Sequence, residues 1–259
     1  MKIKYLPTKD ARNIHINIFI QENFPHFLNE KNPDLLLLTG GDGALLHAIQ
    51  DFNHLNIPFF GHAGGTLNFL MNKVEDLNET FSNLENNSLE LHFIETTTLK
   101  ASVVKNGKKN LIGYAVNEVV VGTGLMGYHH FSINSNDGSF KDFDIKGSGI
   151  CISSDLGSTG YNFNLGGSVL PLGHNLISIN GVICNRYLND ILPLQPITIS
   201  CLKDNSKASV FLDSIDKQIP IHNGEKLLIE KGENIKISFL DKNEFINKRF
   251  EIASRYRKY

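Results

Sequence analysis

Residues 33–52 read PDLLLLTGGDGALLHAIQDF, a short apolar run followed by three glycines around one aspartate. Leu35–Leu38 are evenly apolar, as in a strand that is buried on both faces of a parallel sheet. After Gly43, apolar residues recur at the spacing of an amphipathic helix. The stretch therefore predicts a strand, a tight turn and a helix, which together open a Rossmann-like α/β layer structure.

The alternation of strand and helix continues after this stretch. NIPFFGHA, residues 56–63, reads as a second buried strand, and a glycine-rich segment and a second amphipathic helix follow it. Asn72 and Glu75 resemble a capping box for that helix. Its predicted apolar stripe consists of Val74, Leu77, Phe81 and Leu84.

From about Ser88 the apolar period falls to two, the period of a strand with one buried face. Asn106-Gly107 and Asp137-Gly138 are signals of tight hairpin turns. GEKLLIEKGENIKISFL, residues 224–240, predicts two further short strands. We therefore expect antiparallel β structure in the middle and late chain. A terminal helical stripe then passes through Phe245, Phe250 and Ala253.

Composition excludes several classes of function. The 259 residues are 41% hydrophobic and 20% charged, with a formal net charge of -2. We therefore expect no nucleic-acid partner and no anionic membrane surface, both of which favour a strongly basic chain. The start of the chain lacks the apolar core of a signal peptide, and the three cysteines are widely spaced. These features predict a cytoplasmic protein.

The glycine turn, residues 40–43, is the first stretch that could carry chemistry. Gly40, Gly41 and Gly43 allow backbone N–H groups to converge on a phosphate at a helix N-terminus. Asp42 would repel that phosphate, so its presence needs a reason. One reading makes Asp42 the helix N-cap. The other makes it a general base beside the phosphate, which means phosphoryl transfer to a hydroxyl.

Two further segments have a structural and a functional interpretation. GHAGGTLNFL, residues 61–70, is either a tight crossover turn or a second ligand loop. Asn117 and Glu118 interrupt an apolar strand, where unpaired polar burial is costly. They either bond to nearby backbone at a strand end or face a ligand. An asparagine carboxamide can pair with the adenine edge, and a carboxylate can accept from ribose hydroxyls.

The hydroxyl-rich loop, SSDLGSTGYNFNLGG over residues 153–167, concentrates glycine and hydroxyl side chains. Such a loop suits a backbone that a ligand approaches closely, with Tyr161 as a stacking platform. The ten histidines form no set of metal ligands. Magnesium remains compatible with the sequence, because it commonly arrives on a nucleotide, held by its phosphates and a carboxylate.

The four segments, in this order, resemble the motifs of the NAD kinase family, which is distantly related to diacylglycerol kinases and phosphofructokinases. The matching stretches are GGDG (40–43), GHAGGTLNF (61–69), NE (117–118) and SSDLGSTGYNFNLGG (153–167). The resemblance implies a Rossmann-like domain and a C-terminal β-sandwich domain, with the site between them. We expect these domains at 1–90 and 91–240, followed by a C-terminal helix, 241–259, packed on the first domain.

The resemblance also implies the reaction and its parts. ATP, or another phosphoryl donor such as polyphosphate, would phosphorylate the adenosine-ribose 2′-hydroxyl of NAD⁺, with Mg²⁺ as cofactor and a homodimer or homotetramer as the assembly. Asp42 would be the base, and the turn glycines with Lys146 would bind phosphate. The implied dinucleotide contacts are Phe69, Leu70, Asn117, Glu118, Ser148, Thr159, Gly160, Tyr161, Asn164 and Asp213. Asp216 is an alternative to Asp213.

The chain departs from the family pattern at Ala44, Ala63, Asn68, Ser148 and Asn164. Ser148 is the most consequential, because relatives usually carry an aspartate there that helps to hold the nicotinamide side of the dinucleotide. Two other functions stay open at this point: a dinucleotide-binding regulator without catalysis, and a lipid kinase that shares only the glycine turn.

Overall fold

The computed structural model describes residues 1–64, 68–123, 127–135, 138, 142–202 and 208–256, and side chains for all of these except 214–217, 242–245, 248, 252 and 256. Its helices are α1 (Ile14–Asn23), α2 (His26–Asn29), α3 (Asp42–Phe52), α4 (Leu77–Glu85), α5 (Tyr161–Asn164) and α6 (Lys242–Tyr256). Its strands are β1 (Ile3–Leu6), β2 (Leu35–Gly40), β3 (Phe59–Ala63), β4 (His92–Lys105), β5 (Lys108–Ala115), β6 (Glu118–Gly122), β7 (His129–Ser135), β8 (Phe143–Ser153), β9 (Leu176–Cys184), β10 (Asn189–Pro193), β11 (Ile197–Cys201), β12 (Ser209–Leu212), β13 (Ser214–Pro220) and β14 (Lys226–Phe239).

The chain divides into two compact units, and each is described by itself. The first comprises residues 1–95 and 234–259, and the second comprises residues 96–233. Two long strands, β4 and β14, carry the chain across the two boundaries. Among the described residues, no helix combines the length and the apolar character that crossing a bilayer requires.

The first unit is an α/β layer built on parallel strands. β2 pairs in parallel with β1 on one edge and with β3 on the other, and the end of β14 joins β3 in parallel at Ile237. Every residue of β2 is buried, as its evenly apolar sequence predicts. The core between this sheet and the helices is aromatic as well as aliphatic; it includes Tyr5, Ile20, Phe27, Phe60, Phe81 and Leu84.

The second unit is antiparallel β structure organised around the long strand β8. The first half of β8 pairs with β7 and the second half pairs with β6, while β9 runs along the opposite edge. β12 continues from β6 to β13, and β11 connects β7 to the first part of β14. The predicted fold class, an α/β part followed by an antiparallel β part, is confirmed.

Local predictions had mixed outcomes. The Asn106-Gly107 turn is confirmed: Lys105 pairs with Lys108, and both turn residues have positive φ. The predicted capping box at Asn72 is wrong, because α4 begins at Leu77 and Asp76 caps it by accepting from the Glu79 N–H. The two short strands predicted over 224–240 are one strand, β14.

The remaining local predictions concern the second hairpin signal and the terminal helix. Asp137 of the second hairpin signal lies outside the described residues, and the Phe245 side chain lies outside the described side chains. In α6, which belongs to the first unit, Ala253 is buried and Phe250 is 40% exposed.

Candidate active site

The glycine turn of the first unit joins β2 directly to α3. A Cβ atom on Gly40 would lie 2.7 Å from the Cβ of Ala44, so only glycine lets the strand end this close to the helix. Gly41 is the N-cap residue of α3, and it has no side chain with which to cap the helix. The interpretation of Asp42 as the N-cap is therefore wrong, since Asp42 is already the first helical residue.

The Asp42 carboxylate instead receives N–H groups from another segment of the same unit. The Phe69 N–H donates to both carboxylate oxygens, at 2.8 and 3.1 Å, and the Leu70 N–H donates to Oδ1 at 2.9 Å. These bonds fix the end of the glycine-rich segment against the turn. They also fix the orientation of the carboxylate, which a general base at this turn would need.

The glycine-rich segment is anchored at its far end by a side chain that the sequence interpretation misplaced. The Asn72 amide donates to the carbonyl oxygens of Gly61 (3.1 Å) and Ser238 (3.0 Å) and accepts from the Leu240 N–H (2.9 Å). Phe69 and Leu70, expected to line the pocket, are 7% and 1% exposed, so their side chains lie in the interior. Residues 65–67 of this segment lie outside the described residues.

His62 in β3 is a buried ionisable group that the sequence interpretation did not single out. It is 7% exposed, and among the described residues its Nδ1 has no hydrogen-bond partner. Burial, and to a lesser extent the charge of His15, lowers the pKa of His62 to about 4. His62 is therefore neutral at pH 7 and supplies no cation to the glycine turn.

In the second unit, Asp213 organises the Asn117–Glu118 corner, residues 116–118. Its carboxylate accepts the N–H groups of Val116 (2.6 Å), Asn117 (2.7 Å) and Glu118 (3.0 Å). Its own N–H returns a bond of 3.0 Å to the Glu118 carbonyl, and its φ is +57°. The late aspartate thus shapes the backbone of this corner. The Asp216 side chain, the alternative, lies outside the described side chains.

The side chains of the Asn117–Glu118 corner present polar atoms that the described residues do not satisfy. Asn117 Oδ1 and Glu118 Oε2 are both buried and have no hydrogen-bond partner among those residues. Burial and then the neighbouring Asp213 raise the pKa of Glu118 to about 8. Unpaired buried polar atoms cost stability, and a hydrogen bond from a ligand would remove that cost.

The hydroxyl-rich loop packs against the same corner. Ser154 donates through its main-chain N–H to the Asn117 carbonyl (2.8 Å) and through Oγ to the Val116 carbonyl (2.6 Å). A Cβ atom on Gly157 would lie 2.2 Å from the Asn117 carbonyl oxygen. A Cβ atom on Gly160 would lie 3.6 Å from Glu118 Oε2. Gly157 therefore lets the loop reach the corner without a steric clash, whereas a Cβ at Gly160 would make only ordinary contact with Glu118.

Three buried polar residues hold the backbone of the loop through hydrogen bonds. The sequence did not predict this role for any of the three. Asp155 accepts the Leu156 and Gly173 N–H groups at 2.8 and 2.7 Å. The Ser158 hydroxyl accepts the Leu170 N–H at 2.9 Å, and Asn162 donates to the Ser158 carbonyl at 2.9 Å. The available signal was Asp155, the one charged residue in the stretch.

The predicted ligand contacts of the loop lie at its surface. Thr159 and Gly160 are half-buried, Tyr161 is 41% exposed, and Asn164 is exposed. Burial raises the pKa of the Tyr161 phenol, so this side chain is neutral at physiological pH. A neutral, accessible aromatic ring beside the Asn117–Glu118 corner can stack on a base.

Lys146 and Ser148 occupy the other half of β8. Ser153 pairs with Glu118, whereas Lys146 pairs with His130 on β7. Lys146 and Ser153 lie seven residue steps apart along the strand, which is about 23 Å at roughly 3.3 Å per residue. Lys146 is exposed and Ser148 is buried. Within one chain, these residues are thus not brought together with the Asn117–Glu118 corner.

The described residues contain no group of three or more His, Cys, Asp or Glu side chains arranged to hold a metal ion. The donor set at the glycine turn is a single carboxylate, Asp42, beside glycine backbone. This set does not suit a resident metal. It does suit an ion that arrives with phosphate oxygens and needs only one or two protein carboxylates.

No family model matches the chain. The NAD kinase of Borreliella burgdorferi is 30% identical over 225 residues, covering 82% of this chain and 77% of that protein. The NAD kinase of Rickettsia canadensis is 28% identical over 185 residues, covering 71% and 70%. Each of these two alignments thus covers at least 70% of both chains.

Solved structures share the fold at lower sequence identity. Yeast NADH kinase in complex with NADH has a TM-score of 0.77 at 20% identity, with coverage of 99% of this chain and 88% of that one. An NAD kinase from Archaeoglobus fulgidus in complex with ATP has a TM-score of 0.70 at 19% identity, with coverage of 98% and 99%. These two comparisons support the fold across almost the whole chain.

Proposed function

The chain belongs to the NAD kinase family, and on that premise we propose that it transfers the γ-phosphoryl group of ATP to the adenosine-ribose 2′-hydroxyl of NAD⁺, giving NADP⁺. One observation carries the assignment to this chain's own residues. The Asp42 carboxylate is oriented by the Phe69 and Leu70 N–H groups at a turn where glycine backbone can meet phosphate.

Each part of the proposed reaction has a physical source. A ribose hydroxyl is a poor nucleophile, and a carboxylate within hydrogen-bond reach supplies a rate gain of roughly 10²–10⁴-fold. We assign this role to Asp42, and we assign phosphate binding to the backbone of Gly40, Gly41 and Gly43. Positioning and charge neutralisation provide most of the remaining barrier reduction in phosphoryl transfer.

The second unit supplies the proposed contacts to the adenosine half of the dinucleotide. Asn117 Oδ1 is a buried acceptor without a described partner, as a ribose hydroxyl or an adenine amine requires. Tyr161 is exposed and neutral and can stack on a base, while Thr159 and Gly160 border the same region. Asp213 acts through the backbone it holds, because three N–H groups of the corner bond to its carboxylate.

We include Mg²⁺ as the cofactor, brought by ATP. Phosphate oxygens of the nucleotide would supply most of its ligands. When bound, the ion neutralises charge on the transferring phosphoryl group.

We also propose a homodimer or homotetramer that acts in the cytoplasm. The distance along β8 supports the assembly, because a second copy can bring Lys146 to a dinucleotide that one chain's own Lys146 does not approach at Glu118. Free cysteines at 151, 184 and 201 support a reducing compartment. Light scattering of the purified protein gives the mass that tests the assembly.

The decisive experiment mixes the protein with NAD⁺, Mg²⁺ and a panel of donors that includes ATP and polyphosphate, and measures NADP⁺ by an enzymatic cycling assay. NADP⁺ formation is expected with ATP, and NADH in place of NAD⁺ gives the acceptor preference. In the same assay, the matched control for the variant Asp42→Asn is Asp51→Asn, which changes an exposed aspartate on the same helix, α3. Absence of product with every donor would contradict the proposal.

A further inference from the structure

Glu118 is a buried acid. Both of its main-chain polar groups are hydrogen-bonded, whereas one oxygen of its side chain is not, within the described part of the chain. Its N–H donates to Asp213 Oδ1 and its carbonyl accepts the Asp213 N–H, both at 3.0 Å. The residue is 8% exposed, and Oε2 has no hydrogen-bond partner among the described residues. The loop backbone closely approaches this oxygen at Gly160, where an added Cβ would lie 3.6 Å from it and 3.2 Å from the Gly157 carbonyl oxygen. The side chain is thus held ready for a partner that the described residues do not provide.

The described ionisable groups that surround Glu118 come from three neighbouring elements, and no described side chain among them is a cation. Asp213 lies at the junction of β12 and β13, Cys151 lies on β8, and Tyr161 begins α5. Burial raises the pKa of the Cys151 thiol and of the Tyr161 phenol, so both are neutral at pH 7. Burial and the Asp213 carboxylate together raise the pKa of Glu118 to about 8. The uncharged acid is therefore the main form of Glu118 in the free protein at pH 7.

We propose that Glu118 recognises the dinucleotide as an uncharged carboxylic acid that donates its proton in a hydrogen bond to an oxygen or nitrogen acceptor of the adenosine half. This proposal rests on the proposed function, because it concerns the same substrate. An ionised carboxylate can only accept hydrogen bonds, whereas the neutral acid donates one and accepts others. NAD⁺ carries a negatively charged diphosphate, and a further negative charge in a buried site would oppose its binding. The neutral acid avoids that repulsion.

The proposal predicts a specific dependence of NAD⁺ affinity on pH. Only the neutral acid binds well, so the Kd for NAD⁺ is constant well below the pKa and rises above it. We expect binding about tenfold weaker one pH unit above that pKa, since the neutral fraction falls about tenfold there. A carboxylate that accepts from a ribose hydroxyl gives the opposite result, with affinity that rises with pH.

The test is isothermal titration calorimetry of the full chain with NAD⁺ alone, from about pH 6 to about pH 9.5. Glu118→Gln keeps a donor N–H at this position and loses the ionisation. We expect it to bind within about threefold of the wild type at pH 7, with a Kd that stays flat at higher pH. Glu90→Gln, which removes an exposed carboxylate from the first unit, should retain the wild-type pH profile.

Asp213→Asn provides a second readout that a purely structural effect would not move. Removing the Asp213 charge lowers the pKa of Glu118, so the rise in Kd should begin at a lower pH than in the wild type. Wild-type affinity that is constant or strengthens between about pH 7 and pH 9 would overturn the proposal. So would a loss of more than about tenfold in Glu118→Gln with a native circular dichroism spectrum. NADP⁺ formation is measured separately, so a failure of the kinase assignment is distinguishable from a failure of this one.

Discussion

Replacing Glu118 by glutamine should stabilise the folded protein, although Glu118 belongs to the candidate active site. The folded state raises the pKa of Glu118 from 4.5 to about 8 through burial and the charge of Asp213. In the unfolded chain at pH 7 the side chain ionises freely, and folding forces it back to the neutral form. Glutamine has nearly the same shape and never ionises, so the variant avoids this cost.

The magnitude follows from the pKa difference. Each pH unit between the unfolded and folded pKa values changes the free energy of unfolding by about 1.4 kcal/mol. The pKa of Glu118 in the unfolded chain, 4.5, lies 2.5 units below pH 7, whereas its folded pKa of about 8 lies above pH 7. Glu118→Gln should therefore raise the free energy of unfolding at pH 7 by about 3 kcal/mol. The sign is that of an acid with a raised folded pKa. The contribution of Glu118 to the free energy of unfolding is most favourable below pH 4.5. It falls progressively as the pH rises and levels off above about pH 8.

Urea unfolding followed by far-UV circular dichroism at several pH values measures this difference. The gap in the free energy of unfolding between Glu118→Gln and the wild type should be near zero at about pH 4.5 and should widen to about 3 kcal/mol at pH 7. Glu90→Gln serves as the control for removing an exposed carboxylate and should stay close to the wild type. A gap that does not depend on pH, or a destabilised Glu118→Gln at pH 7, would refute the reasoning.

Other substitutions test the remaining parts of the structure. Asp42→Asn should lower kcat for NADP⁺ formation by roughly 10²–10⁴-fold with little change in the calorimetric Kd for NAD⁺, and unchanged turnover would exclude Asp42 as the base. Gly157→Ala should cost about 1–3 kcal/mol in urea unfolding, because its Cβ meets the Asn117 carbonyl at 2.2 Å, whereas Gly43→Ala has no atom within 4 Å and should not be destabilised. The lowered pKa of His62, about 4 against 6.5, predicts stability that is full above pH 6.5 and lost as the pH falls towards 4; His62→Leu should flatten that part of the profile, and an unaltered slope would contradict this account. Asp213→Ala should raise KM for NAD⁺ more than Asp213→Asn does, since asparagine keeps one acceptor for the corner N–H groups, and equal kinetics would show that the carboxylate does not position the corner.

The fold was predictable where a single local pattern determines the element. Leu35–Leu38 form a strand buried on both faces, and Asn106-Gly107 forms the hairpin turn that its positive φ angles require. The end of a helix was harder to place, because Asn72 and Asp76 are both suitable caps in sequence. Tertiary contacts decide between them: Asn72 bonds to the carbonyl oxygens of Gly61 and Ser238, which are distant in the chain.

The hydrogen-bond partners of the candidate site residues were harder to predict than the residues' place in the fold. Glycine density and the interrupted strand at Asn117 predict a ligand site. The partners of each acid could not be read from the sequence, since Asp42 bonds to N–H groups 27 and 28 residues away and Asp213 bonds to three that lie 95–97 residues away. Long-range backbone contacts of this kind have no local pattern, and they decide whether an acid acts on a ligand or on the chain.

The polar residues beneath the hydroxyl-rich loop have a consequence for how tightly a nucleotide is held. Asp155, Ser158 and Asn162 fix the loop before any ligand arrives, so its residues have little conformational freedom left to lose on binding. The free energy of binding is then reduced little by the ordering of the backbone. Substitutions at these three residues, which are all buried, should therefore weaken binding through its entropy and not through lost contacts.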